Sequence, residues 1–335
     1  MGLQIGEIVP RKAIEFKDLK GKVIAVDALN AIYQFLSSIR QPDGTPLMDS
    51  TGEVTSHLSG LFYRNIALIS EGIKLIYVFD GEYHELKNRE HELREEAKDI
   101  AREKYELAKD EEDVEGMGKY AKALGRLNEK MINESKELLR AMGIAIVDAP
   151  GEGEMQCAQL VKDGEAWAVG SQDYDALVVG GKRLIQNLTL ARKRKTPSGF
   201  VYISPELIEY EKTLNALTID ADQLISLAIL VGTDFNPGGV KGIGPKKALA
   251  LVQQKKFPVK IFHELEGRLD FDWKEVFSIF KKPNVEKVKV SFPKLDEKKI
   301  KEILVERHEF SEDRIENQLE KLRDVKSQSA QKTLF

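Results

Sequence analysis

Lys22-Val-Ile-Ala-Val-Asp27 is a short apolar run, rich in β-branched residues, that ends on a carboxylate. Ile73-Lys-Leu-Ile-Tyr-Val-Phe-Asp80 and Gly143-Ile-Ala-Ile-Val-Asp148 repeat the pattern. Runs this short and this uniformly apolar read as strands buried on both faces, and the stretches between them carry helical patterns. Ala166-Trp-Ala-Val-Gly170 reads as a further strand, followed at once by Ser171-Gln-Asp173-Tyr-Asp175. The fold class is therefore α/β, with a central, mainly parallel, twisted sheet flanked by helices. In such sheets ligands bind beyond the carboxyl ends of the strands, where Asp27 and Asp80 stand.

Five more acids fall beside apolar runs or Gly-rich turns: Glu152 and Glu154 in Pro150-Gly-Glu-Gly-Glu-Met155, Asp173, Asp175, and Asp234. In an extended segment, side chains at i and i+2 point the same way, so Asp173 and Asp175 are expected to face one target. On a regular helix i and i+2 diverge by about 200°. Glu152 and Glu154 can therefore share a site only if the segment opens irregularly, which Gly151 and Gly153 permit. Stabilisation of a helix N-terminus explains that pair equally well. Together the seven acids suggest one site in which hard divalent cations supply the missing counter-charge.

The chain of 335 residues has room for one large α/β unit with a helical extension. No apolar run reaches the length of a membrane helix, and residues 1–20 carry no secretion-signal pattern, so no membrane association is expected. One cysteine, Cys157, and five scattered histidines offer no disulfide and no zinc pattern. Net charge is −4, yet the bases are unevenly placed. Lys182 to Lys195 holds six basic residues and no acid, Arg192, Lys193 and Arg194 among them; Phe235 to His263 holds six lysines and no acid. Such windows suit a phosphate backbone, although a solvated basic loop reads the same way for the first.

From Glu82 to about Leu139 the composition turns rich in Glu, Lys, Arg and Ala, which predicts an inserted helical lobe. Lys87 and Arg94, seven apart, lie on one face of a helix close behind Asp80; a solvated face is the plain alternative. In Gly242-Ile-Gly244-Pro-Lys246-Lys247 a tight turn leads into a helix, offering backbone N–H groups and lysines to a phosphate. It resembles the hairpin of helix–hairpin–helix DNA-binding proteins. No side chain there suits base edges, so binding independent of sequence is expected.

Taken in order, Val-Asp27-Ala, Val-Phe-Asp80-Gly, Ala-Pro-Gly-Glu152-Gly-Glu154, Ser-Gln-Asp173-Tyr-Asp175 and Leu-Val-Gly-Thr-Asp234-Phe before Gly-Ile-Gly-Pro resemble the motifs of flap endonucleases, of an archaeal type. The resemblance runs from Gly2 to about Leu322. It implies a structure-specific nuclease that removes 5′ flaps in replication and repair, with 5′–3′ exonuclease activity. It implies two Mg²⁺, with Mn²⁺ able to substitute: Asp27, Asp80, Glu152 and Glu154 at the first, Glu154 shared, Asp173 and Asp175 at the second, Asp234 direct or through water. Lys87 and Arg94 match the arch cations that contact the scissile phosphate, Tyr33 an aromatic that stacks on a base, and Gly2 a residue near the site.

The resemblance divides the chain into an α/β part (1–81), an arch (82–139), a second α/β part (140–234), a helix–hairpin–helix region with C-terminal helices (235–322) and a flexible tail (323–335). Gln331, Leu334 and Phe335 keep part of a sliding-clamp-binding box without its final aromatic pair, so clamp binding is expected to be weakened or the box truncated. The expected partner is branched DNA bearing a 5′ flap, and the expected state a cytoplasmic, nucleoid-associated monomer. A related exonuclease or bubble-cutting repair nuclease would share the acids. A non-catalytic junction-binding protein would need only the hairpin and the basic windows.

Overall fold

The computed structural model describes every residue except 1, 42, 83, 88–91, 93–95, 97–98, 101–102, 105–106, 108–126, 190–192, 197–198 and 333–335. Its strands are β1 (Lys12–Ala13), β2 (Val23–Asp27), β3 (Lys74–Phe79), β4 (Ala145–Asp148), β5 (Ala168–Gly170), β6 (Arg183–Gln186), β7 (Lys193–Thr196), β8 (Gly199–Tyr202) and β9 (Glu206–Glu209). Seven of them form one sheet in the order β1-β9-β6-β5-β2-β3-β4, while β7 and β8 make a separate hairpin. β2 lies parallel to β3 and β5, β3 to β4, and β5 to β6; β9 runs antiparallel to both β6 and β1. The expected parallel sheet is present, with an antiparallel margin on one side.

The helices are α1 (Ala28–Ser38), α2 (Ser56–Ser70), α3 (Glu129–Ala141), α4 (Gly153–Asp163), α5 (Asp175–Val178), α6 (Tyr210–Leu217), α7 (Ala221–Val231), α8 (Pro245–Lys255), α9 (Pro258–Glu264), α10 (Trp273–Lys281), α11 (Glu297–Lys301) and α12 (Glu312–Lys332). Alternation along the central strands sorts them into two layers. Ala25, Ile76 and Val78 face a core built with α4, α5 and α7–α10. Ile24, Val26, Leu75, Tyr77 and Phe79 face a second core built with α1, α2, α3, α11 and α12. The near-continuous apolar runs of β2 and β3 follow from this double coverage.

Three expected boundaries shift. The lobe was expected to reach residue 139, but α3 buries Met131, Leu138 and Leu139 in the second core and belongs to the sheet's own covering layer. The hairpin region was expected to begin at 235, but its first helix is α7, which starts at Ala221 behind an Asp220 capping box. The tail expected to be flexible from 323 is helical to Lys332, because Ile315, Leu319 and Leu322 give α12 a buried stripe. Beyond that stripe the sequence holds no Gly or Pro, so nothing local stops the helix.

Residues 282–296 carry the chain from the first layer to the second. They run along α4, where Glu286 N donates to Gln156 Oε1 (2.9 Å) and Val290 N to Glu165 Oε2 (3.1 Å). They then pass the amino ends of the strands: Lys74 lies over the Phe292 ring and Asp296 N donates to Ala141 O (2.8 Å). The crossing stays at the end of the sheet opposite Asp27 and Asp80. Leu319→Ala is expected to lower unfolding free energy by about 2–5 kcal/mol, the scale of a Leu-to-Ala cavity, as read by urea denaturation. A loss below about 0.5 kcal/mol, the scale of a surface change, would mean that α12 is not part of the core.

Candidate active site

Six of the seven acids sit at, or just beyond, the carboxyl ends of the parallel strands. Asp27 closes β2 and caps α1, accepting from Asn30 N (3.0 Å). Asp80 follows β3 and accepts from Gly153 N (2.7 Å). Glu152 is the N-cap of α4, with extended backbone (φ −70°, ψ 125°), and Glu154 lies in the helix's first turn. This is the irregular opening that lets both point toward the crevice. Asp234 comes from the loop after α7. The crevice lies at the topological switch point, where the chain order departs from β2 toward β3 on one side and β5 on the other.

Asp173 and Asp175 come together by a different geometry from the extended one expected. After β5 the backbone bends: Asp173 N donates to Ser171 Oγ (3.1 Å), Tyr174 takes φ −103° and ψ 0°, and Asp175 opens α5. Both acids still enter the group, since Asp173 raises the pKa of Asp175 and of Glu154 by repulsion. Asn30 binds two of the acids at once. Its backbone N–H donates to the capping Asp27 Oδ1, and its Nδ2 donates to Asp173 Oδ2 (3.0 Å). The only trace of this role in the sequence is its place three residues after a capping Asp.

Burial and mutual repulsion hold protons on this cluster. Burial first, then Asp80, pushes Asp27 up to about 8; burial first, then Asp234 and Asp173, pushes Asp175 up to about 8. Glu154 is raised well above the usual range by burial and by Asp175, Asp173 and Asp27. Asp80 and Glu152 are raised too, again chiefly by burial. Lys87 meets this charge directly: it pairs with Glu152 and lies over the Phe235 ring, 5.3 Å from its centroid. Burial lowers its pKa, but Glu152, Asp234 and Asp80 outweigh that and raise it.

The donor set fits hard cations. It is all oxygen, and Asp175 Oδ1 is buried without a hydrogen-bond partner among the described residues. Cys157 is fully buried and its pKa is pushed well up, so it offers no thiolate. Among the described residues no three His, Cys, Asp or Glu side chains are placed so as to enclose an ion.

The remaining expected residues divide. Lys87 ends a 3₁₀ turn, Glu85–Lys87, and not a regular helix, while Arg94 lies outside the described residues. Tyr33 stands exposed on α1, one turn past Asn30. Gly2 lies against Asp173: a Cβ there would come 1.9 Å from Asp173 Oδ1. Gly242 takes φ +80°, Gly244 caps α8, and Lys247 Nζ donates back to Gly242 O (3.2 Å). Lys246 pairs with Glu7 (3.2 Å) across an exposed gap. Lys193 and Arg194 lie on β7, away from the sheet; Arg192, Leu334 and Phe335 lie outside the described residues, and Gln331 is on α12.

The XPG N-terminal domain matches residues 4–101, and the XPG I-region matches residues 143–234. The flap endonuclease 1 of Pyrococcus furiosus is 50% identical over 337 residues, covering 100% of this chain and 98% of the relative. The chain belongs to the flap endonuclease family. Like that family it is a metal-dependent nuclease that hydrolyses DNA phosphodiester bonds. The solved flap endonuclease-1 of Methanococcus jannaschii superposes with a TM-score of 0.78 at 41% identity, covering 98% of this chain and all of that one. The catalytic core of Rad2, solved with DNA substrate, shares the fold at a TM-score of 0.67 and 23% identity, covering 95% of this chain and 97% of that one.

A carboxyl that binds its proton more tightly folded than unfolded stabilises the fold at low pH. That contribution fades as the pH rises toward the folded pKa. With Asp27 and Asp175 raised to about 8, the melting temperature of chelator-treated protein should fall between about pH 5 and 8. Mg²⁺ should restore it, and Asp175→Asn should flatten the slope. A metal-free melting temperature that rises over this range would contradict the cluster described.

Proposed function

We infer that this chain is a structure-specific 5′ flap endonuclease acting on branched DNA, with two Mg²⁺ as its working cofactor and Mn²⁺ able to replace them. One observation carries the reading: seven acids meet at the carboxyl end of the sheet beside Lys87. Asp27, Asp80, Glu152 and Glu154 would hold one ion, and Asp173 and Asp175 the other, with Asp234 direct or through water. Bound cations make a water easier to ionise and offset charge on the phosphate.

The chain's own groups do the rest. Glu152 keeps Lys87 charged and pointed at the crevice, so its ammonium can exchange the carboxylate for an oxygen of the scissile phosphate. Arg94 is assigned the same task by its place in the motif order, and Tyr33 that of stacking on a base near the junction. The α7–α8 hairpin, through Gly242, Gly244, Lys246 and Lys247, holds the duplex backbone, with Arg192, Lys193 and Arg194 as a second basic contact. Positioning by phosphates reads shape and not base sequence.

The same reading makes the protein a cytoplasmic, nucleoid-associated monomer whose contact with a sliding clamp, through Gln331, Leu334 and Phe335, is weakened by the missing final aromatic pair. Coverage of 98% of a flap endonuclease 1 favours this enzyme over a larger bubble-cutting relative. A DNA-binding protein without catalysis would have no use for seven acids gathered in one crevice, Asp27 and Glu154 buried among them.

Asp175→Ala is expected to cut single-turnover flap cleavage by roughly 10²- to 10³-fold or more while leaving flap affinity nearly intact. Full activity in that variant would sink the two-ion assignment. Lys246→Ala with Lys247→Ala should weaken binding to all duplex sequences alike and reduce the salt slope by about 2, one for each lost phosphate contact. Loss confined to particular sequences in a binding titration would rule out backbone recognition.

A further inference from the structure

The turn that carries Asp173 and Asp175 is fastened from behind by groups given no role above. Tyr174, between the two acids, points the opposite way into the first core and is buried there. A phenylalanine would fill that space equally well, but the hydroxyl is fully used. Arg11 Nη2 donates to Tyr174 Oη (3.2 Å), and Tyr174 Oη donates to Gln186 Oε1 (3.4 Å). Gln186, itself buried on β6, returns to the same turn through Nε2, which donates to Gln172 O (2.7 Å).

Arg11 also reaches the N-terminal segment, where Nη2 donates to Gly6 O. That segment is shaped around the pair. A Cβ on Gly6 would lie 2.8 Å from Arg11 Nη2 and 2.9 Å from Tyr174 Oη. Four residues earlier the same segment brings Gly2 against Asp173. Arg11 and Gln186 thus join three pieces of chain: residues 2–6, the 171–175 turn and strand β6.

We propose that Arg11, Tyr174 and Gln186 form a positioning clasp that fixes Asp173, Asp175 and the Gly2 segment relative to one another for cleavage. None of the three touches substrate. The clasp rests on the functional reading above and deepens it. Groups that orient ligand carboxylates from behind typically matter about 10- to 100-fold in metal affinity or rate.

Tyr174→Phe removes only the hydroxyl, and Arg11→Lys keeps the charge while losing the planar guanidinium whose Nη2 serves Gly6 and Tyr174 and whose Nη1 reaches Glu206. Glu206→Gln is the control, because it breaks the exposed Arg11–Glu206 pair (3.2 Å) and leaves the clasp whole. Each variant is measured for single-turnover flap cleavage, flap Kd in chelator, Mn²⁺ binding by electron paramagnetic resonance without DNA, and Tm. The clasp predicts slower cleavage by about 10-fold or more and weaker Mn²⁺ binding in both clasp variants. Flap Kd and the control should stay at wild type. Wild-type rate and Mn²⁺ binding in both variants would overturn the clasp while leaving the nuclease reading intact. Parallel losses of rate, flap affinity and Tm would overturn it too, since plain packing loss would then suffice. Wild-type protein that neither binds Mn²⁺ nor cuts the flap would overturn both readings.

Discussion

Like charges brought together in a buried crevice must be neutralised, and that requirement organises the molecule. Seven acids cannot all ionise at the end of a sheet without compensation. The chain offers several partial remedies: Asn30 bridging Asp27 and Asp173, backbone N–H groups on Asp80 and Glu154, and Lys87 on Glu152. None of these removes the excess, so Asp27, Asp175 and Glu154 stay biased toward the protonated form. Cations and a phosphate arriving together change that balance, since each makes the other's binding cheaper. Substrate and cofactor are coupled through the charge of the site.

The sheet can tolerate this because its central strands are otherwise mainly apolar and covered. Tyr77, the largest polar side chain wholly inside, spends its hydroxyl on Asn65 (2.8 Å). Both faces are closed by helices, and the crossing segment 282–296 goes round the amino ends. The carboxyl ends are thereby left open, flanked by the Lys87 turn on one side and by the α7–α8 hairpin, tied to the N-terminal segment through Glu7 and Lys246, on another.

How much of this could be read from the chain depends on the range of the interaction concerned. β2, β3, β4 and β5 were legible because two-sided burial writes itself as unbroken apolar runs. The acids were legible because so many of them follow such runs or Gly-rich turns, although Asp148 follows a run too and only pairs with Lys136. Less visible was the bend at Ser171 to Asp175, where a serine hydroxyl 3.1 Å from a backbone N–H replaces the extended geometry that alternation suggests. Asn30, the Lys87–Phe235 contact and the clasp around Tyr174 depend on residues far apart in the chain meeting in space, which no local pattern encodes. The length of α12 escaped for another reason. Its buried stripe is short, and the charged residues after it read as a tail until the stripe is seen to nucleate the helix.

The two-layer arrangement also bears on how the protein is made. The second core, over the face that bears Leu75, Tyr77 and Phe79, is built partly by α1, α2 and α3 and partly by Ile300, Ile303, Ile315 and Leu319 near the end of the chain, where α12 packs on α2 and α11 on α3. During synthesis the outer side of α2 and α3 stays uncovered until residues 297–322 leave the ribosome, although those helices were made long before. The nascent chain therefore carries an apolar surface through most of its elongation, the kind of surface that draws chaperones and invites misassembly. The last helices act as a lid on folding itself, closing the second core from outside once α2 and α3 are in place.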